Sequence, residues 1–82
     1  MDERLQGVIE ALEELTNDNT VPRNIKSKVE EIISLLKSVD GHEMSMKINK
    51  VLSELDEISD DTNLQTYTRT QIWNIASMLE MI

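Results

Sequence analysis

The chain has no cysteine, no phenylalanine, one proline, two glycines, one histidine and only two aromatic residues, Tyr67 and Trp73. Each shortage excludes something. Without cysteine there is no disulfide, thiolate nucleophile or sulfur-ligated metal, a composition that fits a reducing cytoplasm. Two glycines cannot supply a phosphate-cradling loop. His42 cannot by itself build a His-rich metal site. A Ser-His-Asp triad is formally open, but no nucleophile elbow or Gly-rich oxyanion segment accompanies it, so His42 reads as an exposed loop residue. Met1 is followed by Asp2 and Glu3 and no long apolar run follows, so neither a signal peptide nor a membrane span is expected.

Positive charge is also scarce. Eight Lys and Arg face 16 Asp and Glu, a net charge of −8. The bases are scattered at Arg4, Arg23, Lys26, Lys28, Lys37, Lys47, Lys50 and Arg69. A phosphate-binding surface needs them clustered, so no direct binding to nucleic acid or to an anionic membrane is expected. The acid excess keeps a small protein soluble, and it could also meet a basic partner.

What the sequence does contain is helical periodicity. Leu5, Val8, Ile9, Leu12 and Leu15 follow the spacing of one apolar helix face and predict helix 1 over residues 3–16, with Asp2 as its N-cap. Asn17 to Val21 offers Asn, Asp and Thr side chains that compete with helix for backbone groups and predict a turn. Pro22 suits the first position of helix 2, predicted to run to about residue 39 with Ile25, Val29, Ile32, Ile33 and Leu36 inward. Asp40-Gly41-His42-Glu43 reads as a break, with Gly41 as a left-handed cap. Helix 3 starts either after Ser45 as cap or earlier after Asp40, and runs to about residue 59 with Ile48, Val51, Leu52, Leu55 and Ile58 inward. Helix 4 is predicted over about 65–81 with Ile72, Ile75, Ala76 and Leu79 inward.

The second half restates the first at an offset of 43 residues, Leu15 matching Ile58. The pairs Leu5/Ile48, Val8/Val51, Ile9/Leu52, Leu12/Leu55, Val21/Leu64, Val29/Ile72, Ile32/Ile75, Ile33/Ala76 and Leu36/Leu79 all stay apolar; among inward positions Ile25/Thr68 breaks the pattern. Two helices per unit at this period is HEAT-like, and the Asp18…Val21-Pro22-Arg23 turn resembles a HEAT turn. Two units are too few for an open solenoid. The expected fold is therefore all-α: one domain over residues 1–82, a four-helix bundle of two repeated hairpins (about 2–40 and about 44–82), closing on itself, pairing with another copy, or both.

The halves differ most on helix 4. Trp73 stands where helix 2 has Glu30, Tyr67 where it has Asn24, Met78 for Leu35 and Met81 for Ser38. From Leu64 to Ile82 the only charges are Arg69 and Glu80. A helix apolar nearly all round is either central in the monomer or binds something with its outer face. Tyr67, Trp73, Met78 and Met81 are the candidate interface, being residue types favoured at protein contacts. A cofactor box built on the two aromatics is not expected.

Asp56, Glu57, Asp60 and Asp61, with Asp18 from the other turn, form an acidic end. Carboxylates can hold Ca²⁺ or Mg²⁺, but the EF-hand spacing with its central glycine is absent, and acid–base chemistry needs an enclosing pocket. Turn and capping roles are the expected reading. The leading function is a non-enzymatic helical protein acting by self-association, as a homodimer, or by binding a protein partner, with no catalytic, metal or cofactor site. The alternatives are an acidic-cluster metal-binding protein or small hydrolase, and an acidic mimic that occupies a basic protein.

Three segments together carry a family resemblance: Val21-Pro22-Arg23-Asn24-Ile25, Leu55-Asp56-Glu57-Ile58-Ser59-Asp60-Asp61, and Arg69-Thr70-Gln71-Ile72-Trp73-Asn74-Ile75. With these the chain resembles, over almost its whole length, an uncharacterised family of small acidic archaeal proteins of unknown function. Ile72-Trp73-Asn74-Ile75 is the most specific part. The resemblance implies a helical bundle in an archaeal cytoplasm and assigns no catalytic residues. Where the family often has a proline before helix 4, this chain has Asn63-Leu64-Gln65, which implies a less sharp helix start.

Overall fold

Four amphipathic segments fold as four helices in a computed structural model that describes residues 3–38 and 43–82. They are α1 (Glu3–Thr16), α2 (Arg23–Lys37), α3 (Met44–Ser59) and α4 (Thr66–Glu80). Among the described residues there is no strand. Each helix packs on two neighbours: α1 on α2 and α4, and α3 on α2 and α4. The diagonal pairs bring no Cα atoms within 8 Å of each other among the described residues. The contact of α1 with α4 closes the ring, so the protein is a four-helix bundle and not an open array. Its cross-section of 20 × 18 Å is that of a two-by-two arrangement of helices about 10 Å thick. No described helix is long and apolar enough to cross a membrane.

The core is aliphatic. Leu5, Val8, Ile9, Leu12 and Leu15 from α1 meet Ile25, Val29, Ile32, Ile33 and Leu36 from α2, with Ile48, Val51, Leu55 and Ile58 from α3 and Ile72, Ile75 and Leu79 from α4. Val21 and Leu64, one from each turn, are buried at its end. Two residues expected inward, Leu52 and Ala76, are only partly buried and pack on the core from its edge. Thr68 is fully buried at the position where α2 has Ile25.

Both turns stop their helices by the same means. Thr16 donates its hydroxyl to the Glu13 carbonyl and Ser59 to the Asp56 carbonyl, each at 2.7 Å. Asp18 Oδ1 then accepts from the Thr20 N–H, and Asp61 Oδ1 from the Asn63 N–H, each at 2.8 Å. Short polar side chains thus bond to backbone groups at the helix ends, the Glu13 carbonyl also accepting from the Asn17 N–H.

The helix starts differ from expectation in three respects. Pro22 is the N-cap and not the first helical residue, with φ −57° and ψ 146°. Gln65 adopts nearly the same backbone, φ −69° and ψ 150°, so α4 begins as sharply as α2 without a proline. Extended φ and ψ at this position are open to any L-residue; proline only pre-sets φ. Glu43 is the residue before α3, which places Ser45 inside the first turn and not at the cap. The expected roles of Asp2, Asp40, Gly41 and His42 lie outside the described residues.

Candidate functional site

The four candidate interface residues are exposed, so in the monomer α4 is not buried on all sides. Tyr67 is 67% exposed, Trp73 55%, Met78 40% and Met81 77%. Both aromatics of the chain thus face outward from an aliphatic core. Met46 on α3 is 75% exposed as well. Sequence reasoning passed it over because it is a single apolar residue on an otherwise polar face.

The four do not form one patch. Met78 is five positions beyond Trp73, which at about 100° per residue sets them roughly 140° apart around the axis. Met78 lies on the α1 side. Its Cε sits 3.8 Å from where a β-carbon would stand on Gly7, ordinary van der Waals distance, which places the thioether over α1. Tyr67 is also outside the groove, its hydroxyl 3.4 Å from Gln71 Nε2. Trp73 lies on the other side of α4, toward α3.

There Trp73 borders an open groove of about 530 Å³ between α3 and α4, lined among others by Leu52, Asp56, Ala76 and Glu80. A second groove of about 510 Å³ continues it past Leu52 and Glu80 to Met44, Ile48 and Ile82. Leu52 and Ala76 face this groove. Their counterparts in the first hairpin, Ile9 and Ile33, are buried, at 0% and 8% exposed. Replacing an isoleucine by alanine at the same place removes three carbons from the seam. The second hairpin is thus underfilled where the first is closed. The signal was present in the pair Ile33/Ala76, but apolar character alone does not register volume.

The acidic end carries less than its charge suggests. Among the described residues no group of three or more His, Cys, Asp or Glu is placed to hold a metal ion. Asp18 is occupied locally: the Thr20 hydroxyl at 2.7 Å and the Thr20 N–H hold its carboxyl below the ordinary value, with Lys26 adding a smaller attraction. On α4 the Arg69 fork reaches back to the end of α3, Nε to the Ser59 carbonyl at 2.8 Å and Nη2 to the Asp61 carbonyl at 3.1 Å. This cation ties α4 to the C-terminal end of α3 through the Ser59 carbonyl and to the following turn through that of Asp61, which also accepts from the Leu64 N–H.

The model of the uncharacterised protein family UPF0147 matches residues 1–82, the whole chain. The chain belongs to the UPF0147 family. A UPF0147 protein of Methanocaldococcus jannaschii is 42% identical over 81 residues, covering 99% of this chain and 86% of that protein. One of Archaeoglobus fulgidus is 41% identical over 78 residues, covering 95% and 87%. One of Methanosarcina mazei is 39% identical over 80 residues, covering 98% and 85%. The crystal structure of a protein of unknown function, MMP1188, superposes with a TM-score of 0.85 at 37% identity, covering 96% of this chain and 89% of that one. The resemblance read from the three sequence segments therefore holds, and these UPF0147 relatives are archaeal. The family assigns no activity, so the surface of α3 and α4 has to speak for itself.

Proposed function

We propose that this UPF0147 protein is a non-enzymatic helical module of the cytoplasm that acts by protein–protein association, with itself or with a protein partner, through the surface around Trp73. One observation carries the reading: the only tryptophan is more than half exposed beside a groove whose mixed lining includes the partly buried Leu52 and Ala76 as well as Ser53, Asp56 and Ser77. An exposed indole over aliphatic surface fits a contact anchor, since tryptophan is enriched among residues that dominate binding energy. It is not one of the residues that form the buried core.

A photo-crosslinking side chain placed at residue 73 tests this in cells expressing the full chain. Position 30 is the control, being the exposed equivalent of Trp73 on α2. The expectation is a discrete crosslinked protein, a second copy or another chain, from position 73 and none from position 30. Equal, diffuse labelling from both positions overturns the proposal. Light scattering on wild type and on the Trp73→Glu variant shows whether the association is with a second copy.

A further inference from the structure

We infer that the α3–α4 groove is built for a basic amphipathic helix of a partner protein, with the partner's apolar stripe on Leu52, Ala76 and Trp73 and its Lys or Arg residues against Asp56 and Glu80. The inference rests on the association reading and adds the chemistry of the occupant.

Shape comes first. The groove runs along α3 from Met44 to Asp56, which at about 1.5 Å per residue is roughly 18 Å, a little over three helical turns. Its lining sets the buried Ile48, Leu55, Ile72 and Leu79 among Ser45, Asn49, Ser53 and Ser77, and it is open along its length. That is the form in which one helix receives the apolar face of another, read by anchors at i, i+3, i+4 and i+7.

Charge chooses the occupant. The charged residues that line the two grooves are Asp56 and Glu80, both acidic and both exposed. The matching positions of the first hairpin are Glu13 and Lys37, one of each sign. The second hairpin thus differs from the first in two ways at one place: the seam is underfilled and its rim is acidic only. Arg69, at the turn end, spends its guanidinium on the carbonyls of Ser59 and Asp61. A second copy of this chain would bring another net charge of −8 to an acidic rim, and like charges across an interface oppose binding. A basic helix gains from both the rim and the long-range field.

The test uses the full chain and two synthetic helical peptides of about three turns. They share one Leu/Met stripe and lack aromatics; one is flanked by Lys and Arg, the other by Glu. Trp73, the single tryptophan, reports binding by its emission. The basic peptide is expected to blue-shift the emission and bind at least about tenfold tighter than the acidic one, with the gap narrowing as salt rises. Ala76→Ile, which fills the seam as Ile33 does, is expected to weaken the basic peptide about tenfold or more. Asp56→Lys with Glu80→Lys, both on the surface and outside the core, is expected to invert the preference. Equal affinities, no emission change with either peptide, or an unchanged preference in the charge-reversed variant would overturn the inference. A wild-type dimer that buries Trp73 would overturn it as well, yet uphold the association reading. Crosslinking from position 73 to another protein, without peptide discrimination, likewise separates the two.

Discussion

Arg4 on α1 donates from Nη1 to the carbonyl oxygen of Met81, at the end of α4, at 3.1 Å across 77 residues of sequence. Lys47 on α3 does the same to the carbonyl of Ser38, at the end of α2, also at 3.1 Å. The two donors are 43 residues apart and so are the two acceptors. A cation in the first turn of one helix thus holds the last carbonyls of the preceding one, where the helix dipole favours it. The α4–α1 seam, which no chain segment crosses, is fastened in the same way as the α2–α3 seam.

That equivalence predicts the behaviour of a circular permutant. Join the C-terminus to the N-terminus with a short Gly/Ser linker and open new ends between Asp40 and Gly41, so that the order becomes α3, α4, α1, α2. The permutant is expected to keep its helicity and a single cooperative urea transition, within about 2 kcal/mol of the parent, because nearby ends tolerate such rewiring. Circular dichroism and urea melts check it. A non-cooperative transition would show that the α1–α4 contact depends on the native chain order.

A second prediction concerns Thr68. The residue is 1% exposed, and its buried hydroxyl has no hydrogen-bond partner among the described residues. A buried polar atom left unpaired costs about 1–3 kcal/mol relative to an apolar group of the same shape. Thr68→Val keeps the volume and removes the hydroxyl, so it is expected to stabilise the protein by about 1 kcal/mol, read from the urea midpoint at unchanged slope. No gain, or a loss, would mean that the hydroxyl is satisfied in solution.

Most of the fold was legible in the sequence because burial follows a 3.6-residue period that Leu, Ile and Val mark directly. The stripes of α1 and α2 were read residue for residue. Helix starts were less legible: Glu43 before α3 has none of the short side chains that signal a cap, and Gln65 occupies an extended site that proline only pre-sets. The exposed Trp73 was visible as a departure of α4 from α2. The groove beside it was not, since it depends on the volume difference between Ile33 and Ala76 and on which side of α4 faces α3. That second quantity exists only once the helices are packed. The separation of Met78 from Trp73, by contrast, follows from their five-position spacing on one helix and could have been read from the sequence.

Asp18 gives a pH prediction whose sign follows from its depressed carboxyl. Hydrogen bonds from the Thr20 side chain and backbone, with Lys26 nearby, hold it below the ordinary 3.8. The ionised form is therefore favoured in the folded state. Its contribution is fully present above the unfolded value and is lost as pH falls through the lower folded one. Asp18→Asn keeps an acceptor for Thr20 but no charge. The variant is expected to be less stable than wild type at neutral pH, with the gap closing below about pH 4. Urea midpoints of both proteins measured across that range decide it; a gap that persists into strong acid would assign the effect to geometry and not to charge.

The last prediction separates the fork of Arg69 from its charge. Its Nε and Nη2 hold two different carbonyls, Ser59 at 2.8 Å and Asp61 at 3.1 Å. A planar guanidinium presents two parallel donors in fixed geometry, whereas an ammonium is a compact point charge. Lys26 occupies the equivalent place in the first hairpin, where it acts on Asp18 only through its charge. Arg69 is half-buried, so solvent screens part of its effect. Arg69→Ala is expected to cost about 1–2 kcal/mol, at the lower end for hydrogen bonds to a charged donor. Arg69→Lys, although it restores the charge and matches the first hairpin, is expected to recover less than half of that loss. If lysine restores full stability in urea, attraction to the end of the α3 dipole accounts for the tie, and the two-carbonyl geometry contributes nothing beyond it.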